Sequence, residues 1–306
     1  MWDGSHYVIV NAVTGDGCVV IYNRTTIEEA NLEDPAKLYA EGKWDWNAFE
    51  SMLTKFVDPA NNKFGIDGWW FEYGLSATCG TPYIGLENGK LVNNLKSEGV
   101  ERVQNWMYDL FKNNCVAIGV GDYGWTEKPN YIGEHKTLFY PCGMWALYKS
   151  PDQWQADFGE DCFFVPMPKD PKAETYSIPA SIDGYLMVKG GQNPEGVAKF
   201  AECKRVTLMN ERANTLGTEQ LVKDYGWTDE MLKMHSEIDK LALANPYFDY
   251  YRGVTKDLES ILDSNESGIR ASSKGVPWNE SLAAIYDQVQ AMVDEVNENP
   301  VSSQAK

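Results

Sequence analysis

Histidine is scarce in this 306-residue chain, which has three copies, His6, His135 and His235. None stands in a GxSxG or HExxH setting, so hydrolase and zinc-protease readings have no anchor and each reads as an ordinary surface or core residue. Cysteine is sparse as well, with single residues at 18, 79, 115, 142, 162 and 203 and no CxxC pair. That spacing excludes a zinc-finger site and a dithiol redox motif. It leaves open one or two disulfides in an oxidising compartment, or buried free thiols. No apolar run reaches the ~18 residues that a membrane-spanning helix needs. Positive charge is in deficit, with 27 Lys and Arg against 45 Asp and Glu, a formal net charge of −18. So acidic a chain is repelled by DNA, RNA and anionic lipid, which removes them as main partners.

Aromatic residues are plentiful, at 13 % of the chain with 11 Trp. Amphipathic rings in such number supply recognition surfaces as well as core. The length suits two domains of ordinary size.

Apolar runs at 6–13, 18–22, 64–66, 137–145, 163–168 and 181–188 read as strands. Asn88 and Gly89 mark the turn of a hairpin over 86–92. Asp45 is a good N-cap for a helix over 46–56, with Phe49, Leu53 and Phe56 on one face. Val100, Val103, Met107, Leu110 and Phe111 recur at helical spacing over 98–114. Asn193 and Pro194 open a helix that runs to about Met209. Further helices are expected at 229–243, 255–262 and 277–297, with a short helix and loop over 214–226. The segment 119–133 reads as a glycine- and aromatic-bearing loop, and 245–252 as a loop dense in aromatics. Asp263 to Gly268 is acidic but lacks the ligand rhythm of a calcium loop, and reads as a solvated connection.

The order of these segments carries a resemblance. An apolar strand ending at Gly143 and Trp145 is followed by Val165, Pro166, Met167 and Pro168, then by the strand from Ser181. Asn193 to Phe200 closes the series, and Trp2 to Tyr7, Val19 to Asn23, and Asp34 to Phe49 agree upstream. Together they resemble the extracellular solute-binding proteins of carbohydrate ABC importers, the maltose-binding-protein-like group in a form common in Firmicutes. The resemblance runs from Trp2 to about Glu298.

It implies an α/β, two-lobed, class II periplasmic-binding-protein-like fold. Residues 23–182 and 246–300 would form lobe two, residues 1–22 and 183–245 would belong to lobe one, and 301–306 would be a tail. It further implies a cell-surface lipoprotein, acting as a monomer, that captures a mono- or oligosaccharide by hinge closure and passes it to the permease subunits of an ABC transporter, with no cofactor and no bond made or broken. Members of that family carry a signal peptide, a lipid-anchor cysteine and several βα units ahead of the point where this chain starts. The expectation is therefore an incomplete lobe one, whether from a start placed too far downstream, trimming or truncation of the gene. The alternative is a truncated fragment that binds nothing.

Candidate site residues follow from sugar chemistry: a pyranose offers an apolar C–H face to an indole, and its hydroxyls seek planar polar groups. Trp69 and Trp70 precede Glu72, giving a stacking pair beside an acid, with packing into the lobe core as the alternative for either ring. Trp145 lies where the resembled family places a site aromatic. Asp183 sits in the segment that crosses between lobes, and Tyr247, Tyr250 and Arg252 lie in a loop placed to close over a ligand. A secreted glycosidase would need two carboxylates about 5–10 Å apart, for which Glu72 and Asp183 are the candidates. Nothing else in the sequence favours hydrolysis.

Overall fold

The computed structural model describes residues 8–68, 71–117 and 128–298. Among these, strands β1 (Ile9–Thr14) and β2 (Val19–Asn23) are joined by a tight turn at residues 15–17. Asn23 then caps α1 (Arg24–Glu29), its side chain accepting from the Thr26 N–H. Asp34 does the same for α2 (Pro35–Ala40), and Asp45 for α3 (Trp46–Phe56), where its carboxylate accepts from the Ala48 N–H. Each of these short polar side chains satisfies an amide that the first helical turn leaves without a partner.

The chain continues through β3 (Phe64–Ile66), α4 (Phe71–Ala77) and the hairpin β4 (Ile84–Glu87) and β5 (Lys90–Asn93). Next come α5 (Glu98–Lys112), α6 (Asn130–Gly133), β6 (Thr137–Cys142), α7 (Pro151–Phe158) and β7 (Cys162–Pro166). A four-stranded sheet in the order β3-β6-β2-β7 forms the heart of this half. Strand β2 runs antiparallel to β6 and β7, and β3 runs parallel to β6. All residues of β2, β6 and β7 are buried, as their unbroken apolar runs require when both faces of a sheet are covered. One side is closed by aromatics: Phe49 of α3 stacks on Phe139 at 4.8 Å, and Trp46 stacks on Trp106 of α5 at 4.3 Å. Such ring pairs add ~0.5–1.5 kcal/mol each beyond their burial.

The second part begins with β8 (Ile178–Pro179) and β9 (Ser181–Tyr185), followed by α8 (Pro194–Leu208), α9 (Glu211–Tyr225) and α10 (Asp229–Ala244). Strand β9 pairs antiparallel with β1, with a bulge between Val10 and Ala12. The pair β1–β9 with α8 and α9 carries Val10, Ile182, Phe200, Val206, Met209 and Leu216 exposed. Helix α9 starts earlier and runs longer than the short helix expected over 214–226. Asn210 caps it, and Gly226 stops it in a left-handed conformation at φ +68°. Leu186, Met187 and Val188, expected to extend β9, lie beyond its end and are exposed. Helix α10 turns back onto β7, β1 and β8 with Met231, Met234, Ile238 and Ala242 buried.

The last elements are β10 (Pro246–Tyr247), α11 (Lys256–Leu262) and α12 (Trp278–Glu298). Strand β10 pairs with β8. Helix α12 packs on β5, where the Asn297 amide donates to the Leu91 carbonyl and accepts from its N–H, both at 2.9 Å. Trp278, Ile285, Val289 and Val293 form a separate apolar cluster with Tyr83, Ile84, Leu91 and Tyr251. All six cysteines are free thiols, five of them buried, which decides between the two states left open by the sequence. Helices α4 and α7 form in stretches where no helix was expected, and α6 forms at the end of the expected loop over 119–133, of which residues 119–127 lie outside the described residues. In α7, Pro151 sets the first turn and buried Trp154 and Phe158, four apart, supply the inward face.

Candidate functional site

Two crossing segments define a seam. The turn at residues 15–17 carries the chain from β1 into β2, and Ala180 links β8 to β9. Because β2 is antiparallel to β6 and β7, its start lies beside their ends, with Val19 opposite both Cys142 and Pro166. Loops beyond strand ends at such a reversal are where α/β folds place ligands. A cavity of about 280 Å³ opens here, lined by Asp16, Gly17, Ala180 and Ser181 from the crossings, Tyr73 from α4, Trp145 from the loop after β6, and Asp249, Tyr251 and Arg252 from the loop after β10. Its size is at the small end of the ~300–1,000 Å³ typical of ligand pockets.

Trp145 is 52 % exposed although it follows a wholly buried strand. A Cβ on Gly143 would lie 2.6 Å from indole atoms Cδ1 and Nε1, so a larger residue there would displace the ring from this position. Lys149 Nζ lies 5.8 Å from the ring centroid, and about half of the residue remains exposed. The loop is tied to the crossing turn by the Met144 N–H, which donates to the Asp16 carbonyl at 3.0 Å. On the far wall, Arg252 Nε donates to the Tyr251 hydroxyl at 2.9 Å, and its Nη2 reaches Asp263 at 3.3 Å. The Tyr251 hydroxyl itself donates to Asp263 at 2.8 Å. These contacts hold the guanidinium at the cavity edge.

Asp249 organises this wall. One carboxylate oxygen accepts from the Tyr83 N–H at 2.6 Å and the Tyr247 hydroxyl at 2.8 Å, the other from the Ile84 N–H at 3.1 Å and the Tyr251 N–H at 3.3 Å. Burial pushes its carboxyl up to about 6, against the pull of those four donors. Tyr73, edge-on to Tyr247 at 6.1 Å, has its hydroxyl pushed up to about 12, chiefly by burial, so both tyrosines serve as neutral hydrogen-bonding groups.

Of the residues expected from sequence, the structure brings Trp145 and Arg252 to this cavity. Trp69 and Trp70 lie outside the described residues. Glu72 is instead buried in an ion pair, its Oε1 3.1 Å from Lys274 Nζ and accepting from the Ser273 hydroxyl at 3.0 Å. It neighbours Tyr73 in α4, and successive helical residues point about 100° apart, so the helix that presents Tyr73 to the cavity turns Glu72 away. Tyr247 is buried behind the wall and acts through Asp249. Tyr250 is exposed, with its N–H on the Ile84 carbonyl, and Asp183 is exposed on β9 opposite Ala12; neither borders the cavity.

Sequence reasoning missed Asp16, Tyr73, Ser181, Asp249 and Tyr251. The one available signal was at Asp16, an acid between Gly15 and Gly17 in the short link between two expected strands. Among the described residues, Asp16, His235 and Asp239 are the only group of three such side chains close enough to share an ion. Asp16 Oδ1 lies 3.0 Å from His235 Nε2, a hydrogen bond, and Asp239 Oδ2 lies 3.8 Å from Nδ1, an ion-pair distance, so both ring nitrogens face carboxylates.

Comparison with known proteins bears on the fold. No protein-family model and no curated protein matches the chain. Many solved structures do. An ABC transporter solute-binding protein from Thermotoga lettingae, bound with α-D-tagatose, superposes with a TM-score of 0.60 at 14 % identity, over 96 % of this chain and 74 % of its own. A substrate-binding protein of an ABC transporter from Listeria monocytogenes, in complex with cycloalternan, gives 0.64 at 15 %, over 96 % and 73 %. UgpB from Mycobacterium tuberculosis, in complex with glycerophosphocholine, gives 0.63 at 15 %, again over 96 % and 73 %. The chain has the two-lobed α/β fold of these substrate-binding proteins.

Proposed function

We propose that this protein captures a carbohydrate, a mono- or oligosaccharide, in the cavity at the seam and delivers it to the permease of an ABC transporter. The observation that carries the proposal is Trp145: a half-exposed indole set against Gly143 at the edge of a concave site. Its apolar surface suits the C–H face of a sugar ring, and Asp16, Ser181, Tyr73 and Arg252 offer the donors and acceptors that hydroxyls need. The structural neighbours support the class, since those bound to tagatose, mannitol, cycloalternan and maltotetraose share the fold. Trp69 and Trp70, just ahead of Tyr73 in sequence, remain candidates for further stacking surface. Capture is by closure about the two crossings, which we place at residues 15–17 and at Ala180, because β2 lies wholly in the four-stranded sheet. The protein acts outside the cytoplasmic membrane, anchored at the cell surface, as a monomer, and catalyses no reaction. The hydrolytic alternative loses its acid pair, since Glu72 is buried against Lys274.

A thermal-shift panel tests this reading. D-Tagatose, D-mannitol, maltotetraose, a set of other mono- and oligosaccharides and glycerophosphocholine would each be added to the intact chain. A ligand that binds only the folded state at a hundred times its Kd stabilises it by about 2.7 kcal/mol. One or more saccharides raising the midpoint is the expected result. A cooperative melt that no saccharide shifts, or that glycerophosphocholine alone shifts, overturns the assignment.

A further inference from the structure

We infer that His235 is a positioning residue for this site: its protonated ring clamps the crossing turn to α10 and thereby sets the placement of Asp16 and Trp145. The inference rests on the reading of the cavity as the binding site.

His235 Nε2 lies 3.0 Å from Asp16 Oδ1, and Nδ1 lies 3.8 Å from Asp239 Oδ2. Asp239 Oδ1 in turn accepts from the Gly15 N–H at 2.9 Å. Helix α10 therefore grips both sides of the turn, once at the Gly15 amide and once at the Asp16 carboxylate. The approach is close enough to require glycine, since a Cβ on Gly15 would fall 2.2 Å from Ile238 Cγ2. Tyr148 closes the row from the four-stranded half, its hydroxyl 3.1 Å from Asp16 Oδ2 and 3.2 Å from His235 Nε2. Trp227 covers the imidazole edge-on at 5.4 Å. From the same turn, the Asp16 carbonyl holds the Met144 N–H, one residue before Trp145. The path from imidazole to indole is thus one side-chain contact and one backbone hydrogen bond.

The titratable groups that face His235 are Asp16 from the turn, Asp239 from its own helix and Tyr148. Burial lowers the tendency of the ring to hold a proton, but the Asp16 hydrogen bond and the charges of Asp239 and Asp16 outweigh it and raise the midpoint above 6.5. Protonated, the ring donates from Nε2 to Asp16 and attracts Asp239 by charge across 3.8 Å. Neutral, it can still donate from Nε2 to Asp16, but its charge no longer offsets either acid. The clamp therefore holds where the ring is protonated and the acids are ionised, and it loosens as pH rises through the raised midpoint of the ring.

The test reads the coupling without any ligand, so its outcome is separate from that of the saccharide panel. The imidazole C–H resonances of the three histidines are followed by NMR from pH 5 to 9, with His235 assigned by His235→Gln. The indole N–H resonance of Trp145, assigned by Trp145→Phe, is followed in parallel. The expected result is that His235 titrates above 6.5 and the Trp145 signal shifts with the same midpoint, and that this shift is absent in His235→Gln. Asp239→Asn, which retains an acceptor for Gly15, lowers both midpoints together. A Trp145 signal that stays flat through the His235 titration, or that still titrates at the same midpoint in His235→Gln, overturns the inference.

Discussion

Asp249 ties the loop after β10 to β4 and lines the cavity, and its protonation should be visible in the stability of the whole chain. Its carboxyl titrates near 6 in the folded protein, against an ordinary value of 3.8. The folded state therefore binds the proton more tightly than the unfolded state, and stability falls as pH rises through the window between those values. Integrated from pH 4 to pH 7, the group costs the native state about 2 kcal/mol. Asp249→Asn removes this term. It also turns an amide toward one pair of donors, and the pair at 3.1 and 3.3 Å, Ile84 and Tyr251, is the weaker to give up. That loss is independent of pH and amounts to ~1–2 kcal/mol. Urea unfolding of both proteins at pH 4, 5, 6 and 7 isolates the effect, because other carboxyls cancel in the difference. The variant should be the less stable at pH 4 by about 1–2 kcal/mol and should draw level with the parent, or pass it slightly, by pH 7. A stability difference that stays constant across the four pH values would refute the assignment of a raised carboxyl to this loop.

Other consequences can be measured directly. Trp145→Ala removes roughly 100 Å² of stacking surface, worth up to ~2.5 kcal/mol at about 25 cal/mol per Å². Affinity for whichever saccharide the thermal panel identifies should fall at least tenfold by calorimetry, with unfolding free energy within ~0.5 kcal/mol of the parent; unchanged affinity would remove the ring from the site. Arg102→Met strips the guanidinium from Asp170, which is fully buried and keeps a bond from the Lys172 N–H. A loss of ~3–5 kcal/mol in urea unfolding is expected, partly restored by adding Asp170→Asn; a loss below ~1 kcal/mol would mean the carboxylate is satisfied elsewhere. Cys203 is the exposed thiol, whereas Cys79 and Cys115 are buried and pushed up to about 11 by that burial. A colorimetric thiol assay should therefore find one fast equivalent in the native protein and six in urea. Fewer than six on unfolding would reveal a disulfide.

Much of the fold was legible because its signals are local. The unbroken apolar runs of β2, β6 and β7 and the caps at Asp45 and Asn193 need only a few neighbouring residues to be read. Helix α9 was read short because its first turn depends on Asn210, a cap whose side-chain bond to Ala213 was not recognised. The site was less legible, and the reason is sequence separation. Trp145 was named from the resemblance, and it does border the cavity. Glu72 looked like a free acid because its partner Lys274 lies 202 residues on. Asp16 looked like a turn residue because His235 is 219 residues away, and Asp249 meets Tyr83 across 166. A carboxylate's role is set by what burial and partners do to its charge, and here the partners arrive only with the tertiary fold.

The exposed apolar side chains of β1, β9, α8 and α9 bear on how the protein behaves as a colloid. Copies that meet through Phe200, Leu216 and Ile182 would gain by removing apolar surface from water. What holds them apart is the net charge of −18, a long-range repulsion that acts before those surfaces touch. Salt shortens that repulsion to about 10 Å at 0.1 M while leaving the apolar attraction intact. Dispersion of this chain therefore depends on dilute electrolyte, and concentrated salt should drive its copies together.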